Sequence, residues 1–156
     1  MKKLFSIVAV LGLSACMGGG GGDDGPTVSP EVLMNQSFET QLNNVRASAP
    51  GSLSSLTYDT RLISTAEDYA QADLDGLSPD VGDLAVANGY FWDKIRVASA
   101  DGNFTTESVL TFWQADFFGE QVVNYDDPMT PAENFGLGKV PNGATERWAL
   151  VVAVPK

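Results

Sequence analysis

Residues 42–74, LNNVRASAPGSLSSLTYDTRLISTAEDYAQADL, read as two amphipathic helices joined by a Pro-Gly-Ser link. The second helix has a clear start, because the Asp59 carboxylate can accept hydrogen bonds from the first free backbone N–H groups. From there Leu62, Ala66, Tyr69, Ala70 and Leu74 recur at helical spacing, while Arg61, Glu67, Asp68, Gln71 and Asp73 fall largely between them. Such a stripe must press against an apolar surface. The C-terminal part of the chain offers one, a run of strands.

Upstream, Ser29-Pro30-Glu31 supplies a hydroxyl cap, a proline at the first turn and an acid near the positive end of the helix dipole. Met34, Phe38, Leu42 and Val45 form the buried stripe of this first helix, which Pro50-Gly51 ends. Downstream, residues 77–89 read as irregular because Pro79 and Gly82 interrupt them. Trp92, Ile95 and Val97 mark a strand over 91–98, and Asp101-Gly102 a turn. Thr105 caps a third helix running from Thr106 to about Phe118, with Val109, Leu110, Phe112, Trp113 and Phe117 as its apolar set. Residues 121–133 read as a second irregular stretch. Pro141-Asn142-Gly143 is a turn between 135–140 and the apolar run WALVVAV, 148–154, which together predict an antiparallel hairpin with its second strand central.

The chain has 156 residues, room for one domain with a real core. Its formal charge of −11 disfavours phosphate backbones, so nucleic acid is not an expected partner. With one cysteine there is no internal disulfide. There is no histidine, which removes the commonest general base and the commonest zinc ligand together. A Ser-His-Asp or Cys-His device is thereby excluded. Gly-x-Ser-x-Gly is absent, and no glycine-rich phosphate loop with a lysine-hydroxyl pair occurs.

The first 28 residues read as address and tether. Lys2 and Lys3 precede an apolar segment, 4–13, too short to span a bilayer. Leu13-Ser14-Ala15-Cys16 then resembles a bacterial lipobox, which implies removal of residues 1–15 and acylation of Cys16. Met17, rather than aspartate, follows the cysteine; by the usual sorting pattern this points to an outer-membrane lipoprotein of a Gram-negative cell. Each buried acyl methylene contributes about 0.8 kcal/mol, so several chains anchor durably. Residues 16–28, with the run Gly18–Gly22, form a flexible spacer with a mean reach of about 20 Å, and residues 29–156 form the domain. Loss of Lys2 and Lys3 takes the formal charge to −13.

Asn43-x-x-Arg46, then Leu56-Thr-Tyr-Asp59-x-x-Leu62-x-x-x-Ala66-x-x-Tyr69-Ala70, resembles the opening helices of the CAP superfamily, the cysteine-rich secretory, antigen 5 and pathogenesis-related proteins. Gly89-Tyr90 and the glycine-rich strand from Phe135 resemble that family as well. The resemblance implies an α/β (α+β) fold, a three-layer α-β-α sandwich around a small, mainly antiparallel sheet. It also implies a central cleft, which in metal-binding members holds two histidines and two acids. On the family's pattern Asp116 takes the place of one acid, three residues after Trp113, and Asp93 that of the other. Both histidines are absent, and Gly119 stands where many bacterial members carry one.

Neutral imidazole suits zinc, and carboxylates alone suit Ca²⁺ or Mg²⁺. Asp93 with Asp116, the acids Asp73, Asp75, Asp80 and Asp83, or Asp126 with Asp127, are weak hard-ion candidates beside the plainer reading of solvated acids. No metal and no cofactor is therefore expected. Core packing is the default for the aromatic set Tyr90, Phe91, Trp92, Phe112, Trp113, Phe117, Phe118 and Tyr125. Tyr90, Trp92 and Tyr125 border irregular segments and are the candidates for lining a groove. The sequence thus reads as a membrane-tied, non-catalytic binding module for an envelope glycan, lipid or protein. The alternatives are a histidine-independent carboxylate hydrolase acting on glycan and a purely structural envelope lipoprotein.

Overall fold

The computed structural model describes residues 28–126 and 129–156. The expectations for the signal segment, Cys16 and the glycine tether, and for Asp127, lie outside the described residues.

Helix α1 (Pro30–Ser48) opens as the sequence predicts, with the Ser29 hydroxyl accepting from the Val32 N–H at 3.3 Å. It buries Asn35, Phe38, Leu42 and Arg46, so two of its four inward residues are polar. A two-residue strand β1 (Thr57–Tyr58) follows, which the sequence reading left inside the link. Helix α2 (Thr60–Leu74) starts at Asp59, whose carboxylate accepts from the Arg61 N–H at 2.9 Å. It buries Leu62, Ile63, Thr65, Ala66 and Ala70.

Three expectations need correction. The segment read as irregular over 77–89 contains helix α3 (Val81–Ala87). Pro79 lies outside it, before the cap, and Asp80 accepts from the Gly82 and Asp83 N–H groups at 2.8 and 3.3 Å. Gly82 does not break the helix: it is buried against the Trp92 ring, where a Cβ would overlap the indole. The predicted turn at Asp101-Gly102 is the end of a longer strand, β2 (Trp92–Gly102). The third helix is two. Helix α4 (Thr106–Ala115) stops at Asp116, which adopts extended angles of φ −92° and ψ 132°, and α5 (Phe117–Val123) restarts at once with Asp116 as its cap. The first three residues of the stretch read as irregular over 121–133 therefore belong to α5.

Strands β3 (Asn134–Asn142) and β4 (Thr145–Pro155) form the predicted hairpin, with Asn142 opposite Thr145 and Lys139 opposite Trp148. The sheet order is β1-β3-β4-β2, antiparallel except for the short β1–β3 pair. Alternation along β4 divides the core. Trp148, Leu150 and Val152 face α1, α4 and α5 together with Phe38, Leu42, Trp113 and Phe135. Ala149, Val151 and Ala153 face α2 and α3 together with Leu62, Ala66, Ala85 and Tyr90. The result is an α+β sandwich of helices on both faces of one sheet.

Glycines decide how close one helix comes. A Cβ at Gly138 would sit 2.5 Å from the Glu67 backbone nitrogen, and one at Gly136 would overlap the Leu62 carbonyl. The two glycines of the 135–140 run thus let the backbone of α2 rest directly on β3. The outer edge of β3 is closed at Leu137 by a side chain: Asn35 donates to the Leu137 carbonyl and accepts from its N–H, both at 2.8 Å.

Candidate functional site

The residues that the family's pattern assigns to a cleft are held apart. Asp116 is engaged as a helix cap, its carboxylate accepting from the Gly119 N–H at 2.8 Å. Asp93 sits at the irregular start of β2 and lines a cavity with Gly82, Asp83, Val86, Trp92 and Lys156, none of them from α4 or α5. Gly119 is buried, and a Cβ there would lie 2.7 Å from both the Trp113 Cα and the Trp113 carbonyl oxygen. Main-chain atoms at that distance leave no room for a side chain of any kind.

The aromatic candidates divide across the sheet. Tyr90 is 1% exposed in the core beneath α2, and its hydroxyl donates to Asn134 Oδ1 at 2.9 Å. Burial, followed by the nearby Asp59 charge, pushes its phenol up to about 12. Trp92 lies on the same side, its indole N–H donating to the Gly82 carbonyl at 3.1 Å. Tyr125 packs against the opposite core cluster, with the Arg96 guanidinium 5.3 Å from its ring centre. Core packing, the default for the aromatic set, fails for four members: Phe91, Phe112, Phe117 and Phe118 are 63%, 44%, 69% and 74% exposed.

Several of the acidic candidates are likewise engaged. Asp73 pairs with Arg147, Asp75 accepts from Gln71, and Asp80 caps α3. One oxygen of Asp126 accepts from the Ser54 N–H at 3.1 Å. Among the described residues no group of three or more His, Cys, Asp or Glu side chains is placed to hold a metal ion.

Beside Asp126 lies the most polar part of the core. Arg46 has no exposure; its Nε donates to the Ser54 carbonyl at 2.8 Å and its Nη1 to the carbonyls of Val123 and Tyr125 at 2.8 and 2.9 Å. Burial lowers the guanidinium's pKa and the Asp126 charge raises it, the first effect being the larger. Asn43 exchanges two hydrogen bonds with the Leu56 backbone, at 2.9 and 2.8 Å. Asn43-x-x-Arg46 therefore pins loops to α1.

A cavity of about 530 Å³ opens where the free edge of β3 meets the start of α1 and of α4. Met34, Phe104, Val140 and Pro141 give it apolar walls, Thr105 and Thr106 add polar ones, and Glu31, Glu67, Glu146 and Lys139 bring charge. Lys139 is committed to Glu146 at 2.6 Å and lies 4.8 Å from the centre of the Trp148 ring. Glu31 and Glu67 make no side-chain hydrogen bond or ion pair among the described residues. Burial, then the Glu31 charge, then Asp68, raise the Glu67 carboxyl above the usual carboxylate range. Trp148 is 1% exposed, and its indole N–H has no hydrogen-bond partner among the described residues. Sequence reasoning missed this cavity, having set Glu67 on a solvated helix face and Trp148 in the core. The one available signal was the turn at 142–145, whose register places Lys139, Glu146 and Trp148 side by side.

Scans against family models and against curated proteins find no match for this sequence. Solved structures do match. An outer surface protein from Borrelia burgdorferi superposes with a TM-score of 0.65 at 12% identity, over 83% of this chain and 97% of that one. An extracellular protein containing an SCP domain, from Bacillus anthracis, gives 0.59 at 13% identity over 85% of this chain, which spans 45% of that protein. Venom allergen-like protein 4 of Schistosoma mansoni gives 0.52 at 15% identity, over 80% and 85% of the two chains. At such identities the likeness is one of backbone architecture, and it agrees with the layers, the sheet and the opening motif described above: this chain has the fold of the SCP, or CAP, domain.

Proposed function

We propose that the chain is a non-catalytic binding module of CAP type, held at the cell envelope by a lipid on Cys16. The observation that carries the reading is the packing at Gly119, where the backbone of Trp113 excludes the side chain that a family metal site would need. The commitment of Asp116 to a helix cap supports it. Among the described residues no helix is long and apolar enough to cross a membrane; what supports the lipid anchor is the lipobox-like Leu13-Ser14-Ala15-Cys16. Two structural neighbours, an outer surface protein and an extracellular protein, support a place outside the cytoplasm.

The test uses the full chain isolated from membranes. The mature N-terminal peptide carries a diacylglyceryl mass on Cys16, and the dialysed protein retains no stoichiometric zinc. Incubated with cell-wall glycan, it binds without releasing product. An unmodified Cys16 overturns the anchoring; tightly held zinc or rapid turnover overturns the non-catalytic reading.

A carboxylate hydrolase is the second reading. What favours it is Glu67, its carboxyl held up by burial and by Glu31 in a shared cavity, as a general acid beside a second acid requires. Turnover abolished by Glu67→Gln would replace the first reading with this one.

A further inference from the structure

The break at Asp116 leaves aromatic rings in water. Phe117 and Phe118 are both largely exposed, and their rings meet edge to face, 5.4 Å between centres. Phe112, on the helix before them, is also exposed and leans on Phe104 at 5.4 Å. Single apolar side chains are ordinary on the surface of a soluble domain, but several rings gathered on one pair of helices mark an interaction surface. These rings cannot retreat inward. The buried positions of α4 and α5 are taken by Val109, Leu110, Trp113, Val122 and Val123, and Gly119 is wedged against the Trp113 main chain. The face is therefore held rigid, which lowers the entropy lost when a partner docks.

Charge selects the partner. No lysine or arginine occurs between Arg96 and Lys139, whereas Glu107, Asp116 and Glu120 stand exposed on or beside the two helices. Arg96, which lines a cavity with Glu120, is stacked on Tyr125. Apolar rings with a charged rim have the anatomy of a protein interface. A bilayer fits poorly: anionic headgroups are repelled by the rim, and any bilayer would have to take Asp116 and Glu120 in with the rings beside them. A second copy fits poorly too, since a two-fold contact sets the same acids against themselves in a chain of formal charge −11. A basic polypeptide segment with apolar side chains satisfies both halves: its apolar groups cover the rings, and its lysines or arginines face the carboxylates and ring faces. Resting on the reading of the chain as an envelope binding module, we propose that the aromatic face of α4 and α5 docks a polypeptide segment that is both cationic and apolar.

The experiment places the full mature chain, through its lipid, in phosphatidylcholine nanodiscs. It is titrated with three short synthetic peptides: alternating leucine and lysine, alternating leucine and glutamate, and oligolysine. Empty nanodiscs supply the blank. The leucine-lysine peptide binds saturably, more weakly as salt is added, and slows amide hydrogen exchange in α5. The other two bind at least tenfold more weakly. Phe117→Ala, Phe118→Ala and Glu120→Lys each weaken the leucine-lysine peptide about tenfold. Phe91→Ala, an exposed ring just before β2, leaves it unchanged. Circular dichroism melts of the variants separate lost contacts from lost folding.

No binding of the leucine-lysine peptide, equal binding of the leucine-glutamate peptide, or indifference to all three substitutions overturns the proposal. So does slow exchange in α5 before any peptide is added: at one chain per disc it assigns the face to the bilayer, and only at several chains per disc to a second copy. Cell-wall glycan bound by a chain that takes none of the peptides sinks this surface and leaves the binding-module reading intact. Glycan turnover by a chain that still docks the leucine-lysine peptide as described keeps the surface and sinks the non-catalytic reading.

Discussion

Replacing Gly119 with alanine tests the packing on which the functional reading rests. Gly119 lies in the first turn of α5 at an ordinary helical φ, so on propensity alone the change should stabilise by about 0.5–1 kcal/mol. The structure reverses that sign. The new Cβ would lie 2.7 Å from the Trp113 Cα and carbonyl oxygen and 2.8 Å from its Cβ. Carbon pairs are comfortable at about 3.5–4.0 Å, so the overlap approaches 1 Å, mostly against main chain that has no rotamer to escape into. Trp113 is fully buried, with its indole N–H donating to the Ser99 carbonyl at 3.3 Å, so α4 cannot tilt without losing that contact. Overpacking of this kind costs about 1–3 kcal/mol. Because the clash is with main chain, the cost belongs to the upper half of that range, and after the propensity gain the net expectation is a loss of about 1–2.5 kcal/mol. In urea this reads as a lower midpoint at unchanged slope, and in a thermal melt as a fall of about 4–8 °C. Gly119→His should lose more and gain no tight zinc. An alanine variant as stable as the parent would mean that the α4–α5 junction has room for a side chain, and the argument from packing would fall with it.

Arg46→Ala leaves the carbonyls of Ser54, Val123 and Tyr125 without their donor and should destabilise by about 3–5 kcal/mol in chemical denaturation. Arg46→Lys should recover only part of this, since an ammonium lacks the planar fork. Raising the pH tests Tyr90. Its phenol ionises near 10 when unfolded and at about 12 when folded, so the unfolded chain loses its proton first. The stability it contributes is complete below pH 10 and is lost on the way to pH 12, by about 2–3 kcal/mol; Tyr90→Phe should flatten that part of the denaturation profile. Asp116→Ala should cost about 1 kcal/mol by uncapping α5, whereas Asp116→Asn, which still caps, should change stability little.

The elements legible in the sequence were those whose signal is local. Asp59 and Ser29 cap their helices as read, and the turn after Pro141 sets a hairpin register that the structure keeps. The opening motif was also legible, though its residues do structural rather than chemical work. Asn43 holds the chain entering β1, and Arg46 ties α1 to the link at Ser54 and to the distant segment leaving α5. A motif of this sort announces a fold and is silent about a ligand.

The misreading of the third helix has one cause, a helix phase carried past its true end. Phe117 enters the apolar set of that helix only if the backbone continues through Asp116. The extended angles at Asp116 reset the phase, and Phe117 and Phe118 turn outward, their rings 5.4 Å apart in an edge-to-face pair. The same break brings Gly119 beneath Trp113. One residue therefore ends α4, starts α5, exposes two aromatic rings and closes position 119 to a side chain. The cavity was invisible for the opposite reason, since it has no local pattern. Its walls come from the starts of α1 and α4, the middle of α2 and both sides of the hairpin turn. They meet because Gly136 and Gly138 let α2 lie on β3 and because β1, at two residues, leaves the rest of that edge open to side chains. Neither condition is written in the periodicity of any one segment, so a cavity of this kind emerges only when non-local pairing is known.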